Sequence, residues 1–265
     1  MDAGLAGSRA LVVGGGSGIG RAVALALADE GVHLAIASRR PDPATVEAIQ
    51  ARGVKAVRIV ADAASEPDVV RMVAEAIDQL GGLEMLVWVP ATIANEPITT
   101  MRREAWDAVL ATNVTGCASA CREAARHFVA RRRGGILLVG STATVSAQPT
   151  EAAYRASKAA LGALAGVLAV ELAPFGVRVN VLTPGAVDTA FVAGASPAQR
   201  SHVIGQIPLR REATPDEIAP SAVFLLSDRL SPYTTGAELL VDGGLHLRPL
   251  FAGDDEALRG LNAPR

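Results

Sequence analysis

The stretch Gly14-Gly15-Gly16-Ser17-Gly18-Ile19-Gly20 limits what this chain can fold into more than any other. An apolar run over residues 9–13 leads straight into it and reads as a buried strand. A helical pattern over 21–29 follows and closes at Gly31. Strand, glycine turn and helix in that order give a glycine motif its meaning. The glycines permit a tight turn and a close backbone approach. The helix that follows offers unpaired N–H groups and the positive end of its dipole to a phosphate. A flexible loop would use glycines too, but it needs neither the strand before them nor the helix after.

The same alternation continues along the chain. Strands are expected at 32–37, 55–60, 83–89, 136–139, 177–182 and 237–241, and helices at 43–51, 66–80, 100–112, 113–132, 151–173 and 215–227. This order predicts an α/β fold: a Rossmann-type, doubly wound parallel sheet of about seven strands with helices on both faces, in a single domain over 1–265. Half of the residues are hydrophobic but only 3% are aromatic, so the core must be built from Ala, Val, Leu and Ile, which suits strands buried on both faces. Residues 187–214 read as irregular or short-helical, and a long segment of that kind in a compact domain reads as a lid. A tail of about 245–265 follows the last strand.

Several function classes are disfavoured. The net charge of −2 carries no basic footprint for nucleic acid, and Arg131-Arg132-Arg133 reads as a solvated helix end. No signal peptide and no long, clean apolar span are evident, the best candidate, 161–170, stopping at Glu171; a cytoplasmic protein is expected. Cys117 and Cys121 fall one helical turn apart and read as small buried apolar residues, so neither a disulfide framework nor a metal site is expected.

Two further patterns carry chemistry. Tyr154 and Lys158 stand at i and i+4 in the predicted helix 151–173, on one face. A phenol titrates near about 10, and an ammonium beside it favours the phenolate, so the pair makes sense as a tuned acid/base. At the end of the second strand, Ser38-Arg39-Arg40 stands where a dinucleotide fold meets the adenosine ribose. An acidic residue there would favour NAD. A hydroxyl and a guanidinium instead suit a 2′-phosphate, which predicts NADP(H), with NAD(H) less favoured.

Taken together these motifs make the chain resemble the classical short-chain dehydrogenase/reductase family over residues 7–245, in particular its 3-oxoacyl-[acyl-carrier-protein] reductase-like members. The family's glycine motif matches Gly14, Gly18 and Gly20, with Ser17 and Ile19 between them. Its adenine-side acid matches Asp62, followed by Ala63, and its catalytic tetrad matches Asn113, Ser141, Tyr154 and Lys158. Its Pro-Gly motif matches Pro184-Gly185, followed by Val187 and by Thr189 at the carboxamide position; Ile207-Pro208-Leu209-Arg210 and Asp242-Gly243-Gly244 also fit. The resemblance implies a ketone–alcohol oxidoreductase, a ketoreductase in one direction. Tyr154 would transfer the proton, Lys158 would lower its pKa and bond the nicotinamide ribose, and Ser141 would hold the substrate oxygen. Asn113 would act through its backbone and a water. A homotetramer or homodimer is implied as well, with a small-molecule partner and neither nucleic acid nor membrane.

The chain departs from the family pattern in two places. Val13 stands for the usual Thr, and Trp88-Val89-Pro90-Ala91 for the usual Asn-Asn-Ala-Gly. An indole has one donor, valine's side chain none, and proline loses its backbone donor, so the polar contacts of that segment must be replaced by packing or lost. This departure keeps open a non-catalytic NADP(H)-binding or sensor protein, alongside non-net-redox chemistry such as epimerisation or dehydration. Candidate substrate residues are Ser141, Thr142, Ala143, Tyr154, Ala186 and Phe191, with Ile93, Val187 and Val192 nearby; most are small and apolar, which favours a neutral ketone or alcohol. Arg210 and Arg211 fit either an acidic carrier or plain surface charge.

Overall fold

The computed structural model describes residues 2–145, 147–191, 194 and 196–247. Seven strands form one sheet: β1 (Arg9–Val13), β2 (His33–Ser38), β3 (Ala56–Val60), β4 (Met85–Trp88), β5 (Gly134–Val139), β6 (Val177–Pro184) and β7 (Glu238–Val241). All pairings are parallel, in the order β3-β2-β1-β4-β5-β6-β7. Chain order reverses between β1 and β4, the switch point at which doubly wound sheets leave a ligand crevice beyond the carboxyl ends of their strands. The turn after β1 and the segment after β4 both emerge at that point. Gly14 N–H donates to Ala37 O at 2.7 Å and Val89 N–H donates to Val13 O at 3.1 Å.

The described residues form eight α-helices: α1 (Gly18–Asp29), α2 (Pro43–Gln50), α3 (Glu66–Leu80), α4 (Arg103–Leu110), α5 (Gly116–Arg131), α6 (Ala152–Leu172), α7 (Pro197–Gln206) and α8 (Pro215–Leu226). Strand residues alternate between two apolar layers. Leu11, Leu86, Trp88 and Leu138 pack with α3, α5 and α6, while Val12, Leu34, Val87 and Leu137 pack with α1 and α8. The central strands β4 and β5 are buried throughout, as the continuous apolar runs require. Local signals set the helix ends. Ser65 caps α3, whose first turn carries Glu66 and Asp68 and whose end is closed by the left-handed Gly81. Reciprocal capping boxes, Ser196 with Gln199 and Thr214 with Glu217, start α7 and α8.

Three features refine the sequence expectation. The helical path through 103–131 does not break at Asn113; α4 runs into one wide π turn, Ala111–Thr115, and then into α5. Within the lid, α7 forms, and its Arg200 pairs with Asp188 at 2.8 Å and with Glu212, so one guanidinium ties the helix to both flanks of the segment. Finally, α6 and its extension, Ala152–Phe175, have the length and a mean hydropathy of 1.5 that would suffice to cross a membrane, whereas the sequence predicts a run that stops at Glu171. Here the helix packs one face on the core through Leu161, Ala165 and Ala169 and leaves Val167 and Val170 exposed. Cys117 and Cys121 are fully buried, as expected. The expected tail beyond 247, and Val192 of the lid, lie outside the described residues.

Candidate active site

The glycine turn forms as the motif predicts, and side-chain volume explains it. Gly14 and Gly18 take left-handed backbone angles, φ 80° and 49°. A Cβ on Gly20 would lie 2.2 Å from Gly14 O, so only glycine lets the first turn of α1 close against the end of β1. Ser17 stands at the N-cap of α1 with no side-chain cap bond. The amide groups at this helix end are thus available to an anion. Across the crevice, a Cβ on Gly18 would meet Thr189 Cγ2 at 3.3 Å, which sets the carboxamide-position threonine beside the turn.

Next to this turn, Ser38 ends β2. Its Oγ is buried without a hydrogen-bond partner, and a Cβ on Gly16 would lie 3.5 Å from it. A buried hydroxyl left unpaired is costly and therefore informative. Arg39 and Arg40 are exposed beside it. On the neighbouring edge, Asp62 accepts from Ala64 N–H at 3.0 Å while its own N–H donates to Asp68 at 2.9 Å. The following carbonyl, Ala63 O, would lie 1.9 Å from a Cβ on Gly116, which makes Gly116 obligatory at the start of α5.

Three elements bring Asn113, Ser141, Tyr154 and Lys158 to one side of this crevice: the π turn, the end of β5, and two successive turns of α6. Asn113 is fully buried. Its Nδ2 donates to Thr92 O at 3.0 Å and to Ser157 Oγ at 2.9 Å, and its Oδ1 accepts from Thr92 N–H at 2.8 Å. Ser157 Oγ in turn donates to Tyr154 O at 2.6 Å. The side chain of Asn113 therefore staples the segment after β4 to the helix bearing Tyr154. The matched motifs give no role to Thr92 or Ser157; Ser157 lies within the Tyr154–Lys158 motif, while Thr92 has no sequence signal.

The expected coupling of Lys158 to Tyr154 takes another form. Lys158 Nζ donates to Val139 O at 2.8 Å and lies 5.9 Å from the centre of the Tyr154 ring. Burial, the largest cause, raises the Tyr154 phenol above its ordinary value, and the Ser141 hydroxyl opposes this by hydrogen bonding. The phenol is thus not pulled down by the ammonium here, because desolvation outweighs a cation aimed at a carbonyl. Burial also lowers Lys158 from 10.5 to about 8. Between those values the unfolded chain holds the lysine proton and the folded chain does not, so stability from this residue rises with pH there; at pH 7 the full desolvation cost is present. Lys158→Met is accordingly expected to stabilise the fold at pH 7 by on the order of 1–3 kcal/mol, with the advantage shrinking as pH passes from 8 toward 10.5. Urea midpoints of both proteins across that range check it, and a variant equal to or weaker than wild type at pH 7 would contradict it.

The remaining positions fall into two groups. Pro184 ends β6, and a Cβ on Gly185 would meet Asp242 Cα at 2.7 Å, which locks the Pro-Gly turn against the end of β7. Val187 is buried and bridges to Ala213 across the base of the lid. Thr142 and Ala143 are nearly buried, Ile93 and Ala186 are partly so, and the half-exposed Phe191 ring stands 6.0 Å from that of Tyr154. Arg211 makes a bidentate pair with Glu217, 2.6 Å in each arm, and Arg210 donates to Gly205 O. Ile19 packs against the α1–α8 layer.

Residues 14–246, which carry all of these features, match the family model described as Enoyl-(Acyl carrier protein) reductase. A 3-oxoacyl-[acyl-carrier-protein] reductase of Staphylococcus aureus is 33% identical over 241 residues, 90% of this chain and 98% of the relative. This chain belongs to the short-chain dehydrogenase/reductase family. Two solved structures of such enzymes superpose closely. One is a gluconate 5-dehydrogenase from Burkholderia cenocepacia in complex with NADP and tartrate, with TM-score 0.86 and 29% identity, covering 91% of this chain and 96% of that one. The other is an NAD+-bound xylitol dehydrogenase, with TM-score 0.85 and 30% identity, covering 91% and 99%. The relatives named here are a reductase and two dehydrogenases, and the two solved structures hold NADP and NAD+ respectively. The residues at this site fit such a cofactor. The turn from Gly14 to Gly20 offers amides to a pyrophosphate, and Ser38 presents an unpaired hydroxyl where the adenosine ribose would lie.

The segment Trp88-Val89-Pro90-Ala91, where the chain departs from the family pattern, leaves the sheet against Gly14. Here Trp88 turns its ring away into the α3–α5 layer, fully buried with Nε1 unpartnered, while Val89 packs toward the opposite layer. The strand register runs through Trp88 undisturbed, pairing it with Val13 and Leu138. At this place the side chains pack into the two apolar layers.

Proposed function

We propose that this chain is an NADP(H)-dependent oxidoreductase that interconverts a ketone and a secondary alcohol. One observation carries the reading: Ser141, Tyr154 and Lys158 converge at the carboxyl end of the sheet, beside a glycine turn built for a pyrophosphate. When bound, the nicotinamide supplies or accepts the hydride. The protein's own work is to position and to move a proton. Tyr154 Oη donates its proton to a carbonyl oxygen in reduction and takes one back in oxidation. Ser141, whose Oγ accepts from Ala143 N–H at 3.1 Å and whose hydroxyl bonds the Tyr154 phenol, would turn that hydrogen to the same substrate oxygen. Lys158, mostly protonated at neutral pH, adds a positive charge beside the site. A phenol held above its ordinary value remains protonated at neutral pH, which suits reduction, and alcohol oxidation should climb with pH.

Ser38 and Arg39 support NADP(H) over NAD(H), and the small, apolar lining with Phe191 over Tyr154 supports a neutral carbonyl substrate. The non-catalytic alternative rests on the segment from Trp88 to Ala91, and the unbroken register through Trp88 weighs against it. NADPH and NADH titrations test the cofactor. NADPH should bind about 10–100-fold tighter, and Arg39→Ala should remove most of that preference, as expected for loss of a charge-assisted hydrogen bond worth about 1.5–3 kcal/mol. Equal binding of both nucleotides, unchanged by Arg39→Ala, would overturn the NADP(H) reading. Failure to turn over any member of a broad ketone panel with NADPH would overturn the activity.

A further inference from the structure

The first turn of α6 carries a charge pair to which the matched motifs give no role. Arg155 Nε donates to Glu151 Oε2 at 3.0 Å, and Nη2 lies 2.9 Å from the same oxygen. The two residues stand at i and i+4 with the acid first, the favoured order on a helix. Their side chains are only 19% and 20% exposed, so the pair is screened less than a surface one. The guanidinium also reaches a second partner, since its Nη1 donates to Ala143 O at 2.8 Å. Ala143 N–H is the group that donates to Ser141 Oγ. Ala143 is therefore held at both of its backbone polar groups, by Arg155 on one side and Ser141 on the other, and the short turn Thr142–Thr144 cannot shift without breaking one of them.

The backbone leading into this pair is itself constrained. Thr150, a β-branched residue, sits in the left-handed region at φ 71°, and its carbonyl accepts from Glu96 N–H at 3.0 Å. Such a conformation costs energy and persists only where its surroundings enforce it.

We infer that Arg155, anchored by Glu151, is a positioning residue for the proton-transfer site: it fixes the turn that aims Ser141 and offsets the carboxylate standing beside Tyr154. The inference rests on the reading of Tyr154 as the acid/base. The charged and titratable groups around the phenol are Glu151 at the N-cap of α6 and Arg155 and Lys158 within it; Cys117 of α5 faces Lys158, Ser141 comes from the end of β5, and the lid contributes the uncharged Phe191. Glu151 raises the phenol and Arg155 lowers it, so removing the guanidinium leaves the acid unopposed.

The test exploits the chain's two tyrosines, of which Tyr233 is fully exposed. In a Tyr233→Phe background, phenolate absorbance reports Tyr154 alone and needs no substrate. Arg155→Met should move its midpoint upward, and Glu151→Gln added to Arg155→Met should bring it back. Turnover of Arg155→Met should fall about 10–100-fold with NADPH affinity kept within about twofold, because a misaimed Ser141 costs rate and not cofactor binding. The alkaline limb of alcohol oxidation should shift in step with the midpoint, and Arg155→Lys should recover part of the turnover. If Arg155→Met leaves midpoint, pH profile and turnover unmoved while Tyr154→Phe is inactive, the inference alone is overturned. A wild type no faster than Tyr154→Phe would overturn the acid/base reading and the inference with it.

Discussion

Tyr154→Phe is expected to lower turnover by about 10²–10⁴-fold, the range spanned by positioned general acids and bases. The substitution removes one hydroxyl from a ring that is only 9% exposed, and the ring keeps its place beside Phe191. No backbone bond depends on that hydroxyl: Ser157 Oγ bonds the Tyr154 carbonyl, not the phenol. Fold and nucleotide affinity should therefore stay close to wild type, and the loss should appear in kcat and kcat/KM together, as for an interaction made only in the transition state. Lys158→Met should lose activity comparably but gain stability at pH 7, so the two variants separate chemistry from folding. A Tyr154→Phe protein within about fivefold of wild type would mean that another group supplies the proton.

The largest effect on stability is expected at Trp88. Trp88→Ala should cost about 3–5 kcal/mol, read as a fall in the urea midpoint at constant slope. The ring is fully buried among the residues of the α3–α5 layer, and its Cη2 would lie 3.2 Å from a Cβ on Gly116, so nothing small can take its space without a cavity. Its Nε1 has no partner, which makes the indole a poorer choice than its volume implies. Trp88→Phe should therefore cost much less than Trp88→Ala, about 1 kcal/mol or under, because the lost volume is offset by removal of an unsatisfied donor. If the Phe and Ala variants were equally destabilised, the indole nitrogen would have to be engaged in the folded protein.

Much of this architecture is readable from residue order alone. The glycine turn, the seven strands and the capped helices follow from local chemistry: a left-handed Gly14, the small Gly20, an N-cap at Ser65 and a stop at Gly81. The positions of Tyr154 and Lys158 follow from helical spacing. Where their polar atoms point does not. Lys158 Nζ is directed by Val139 O, a carbonyl contributed by a strand 19 residues earlier, and no side-chain pattern encodes it. The buried phenol rises for the same kind of reason, since desolvation is a property of the packed neighbourhood and not of the motif. Little in the sequence singles out Arg155: its i,i+4 spacing from Glu151 is that of an ordinary helical pair, and its second partner, Ala143 O, becomes visible only when the end of β5 and α6 are side by side. The π turn is the clearest case. Ala111–Thr115 holds no breaker, and the widening is enforced from outside by Thr92 and Ser157 gripping Asn113.

That turn also makes residue count matter. An α-helix advances about 100° per residue, so the one extra residue looped out at Ala111–Thr115 puts α4 and α5 out of phase by about that angle. Val109 on one side and Cys117, Ala120 and Ala124 on the other reach the interior only because of this offset. Losing a single residue there would let an ordinary helix run straight through, and the faces before and after would no longer agree on which way is inward. A change of length in the loop before Arg103 meets no such obstacle. Between Arg103 and Arg131 the chain is thus fixed in length, and Asn113 keeps its place through the arithmetic of the helix as much as through its own amide.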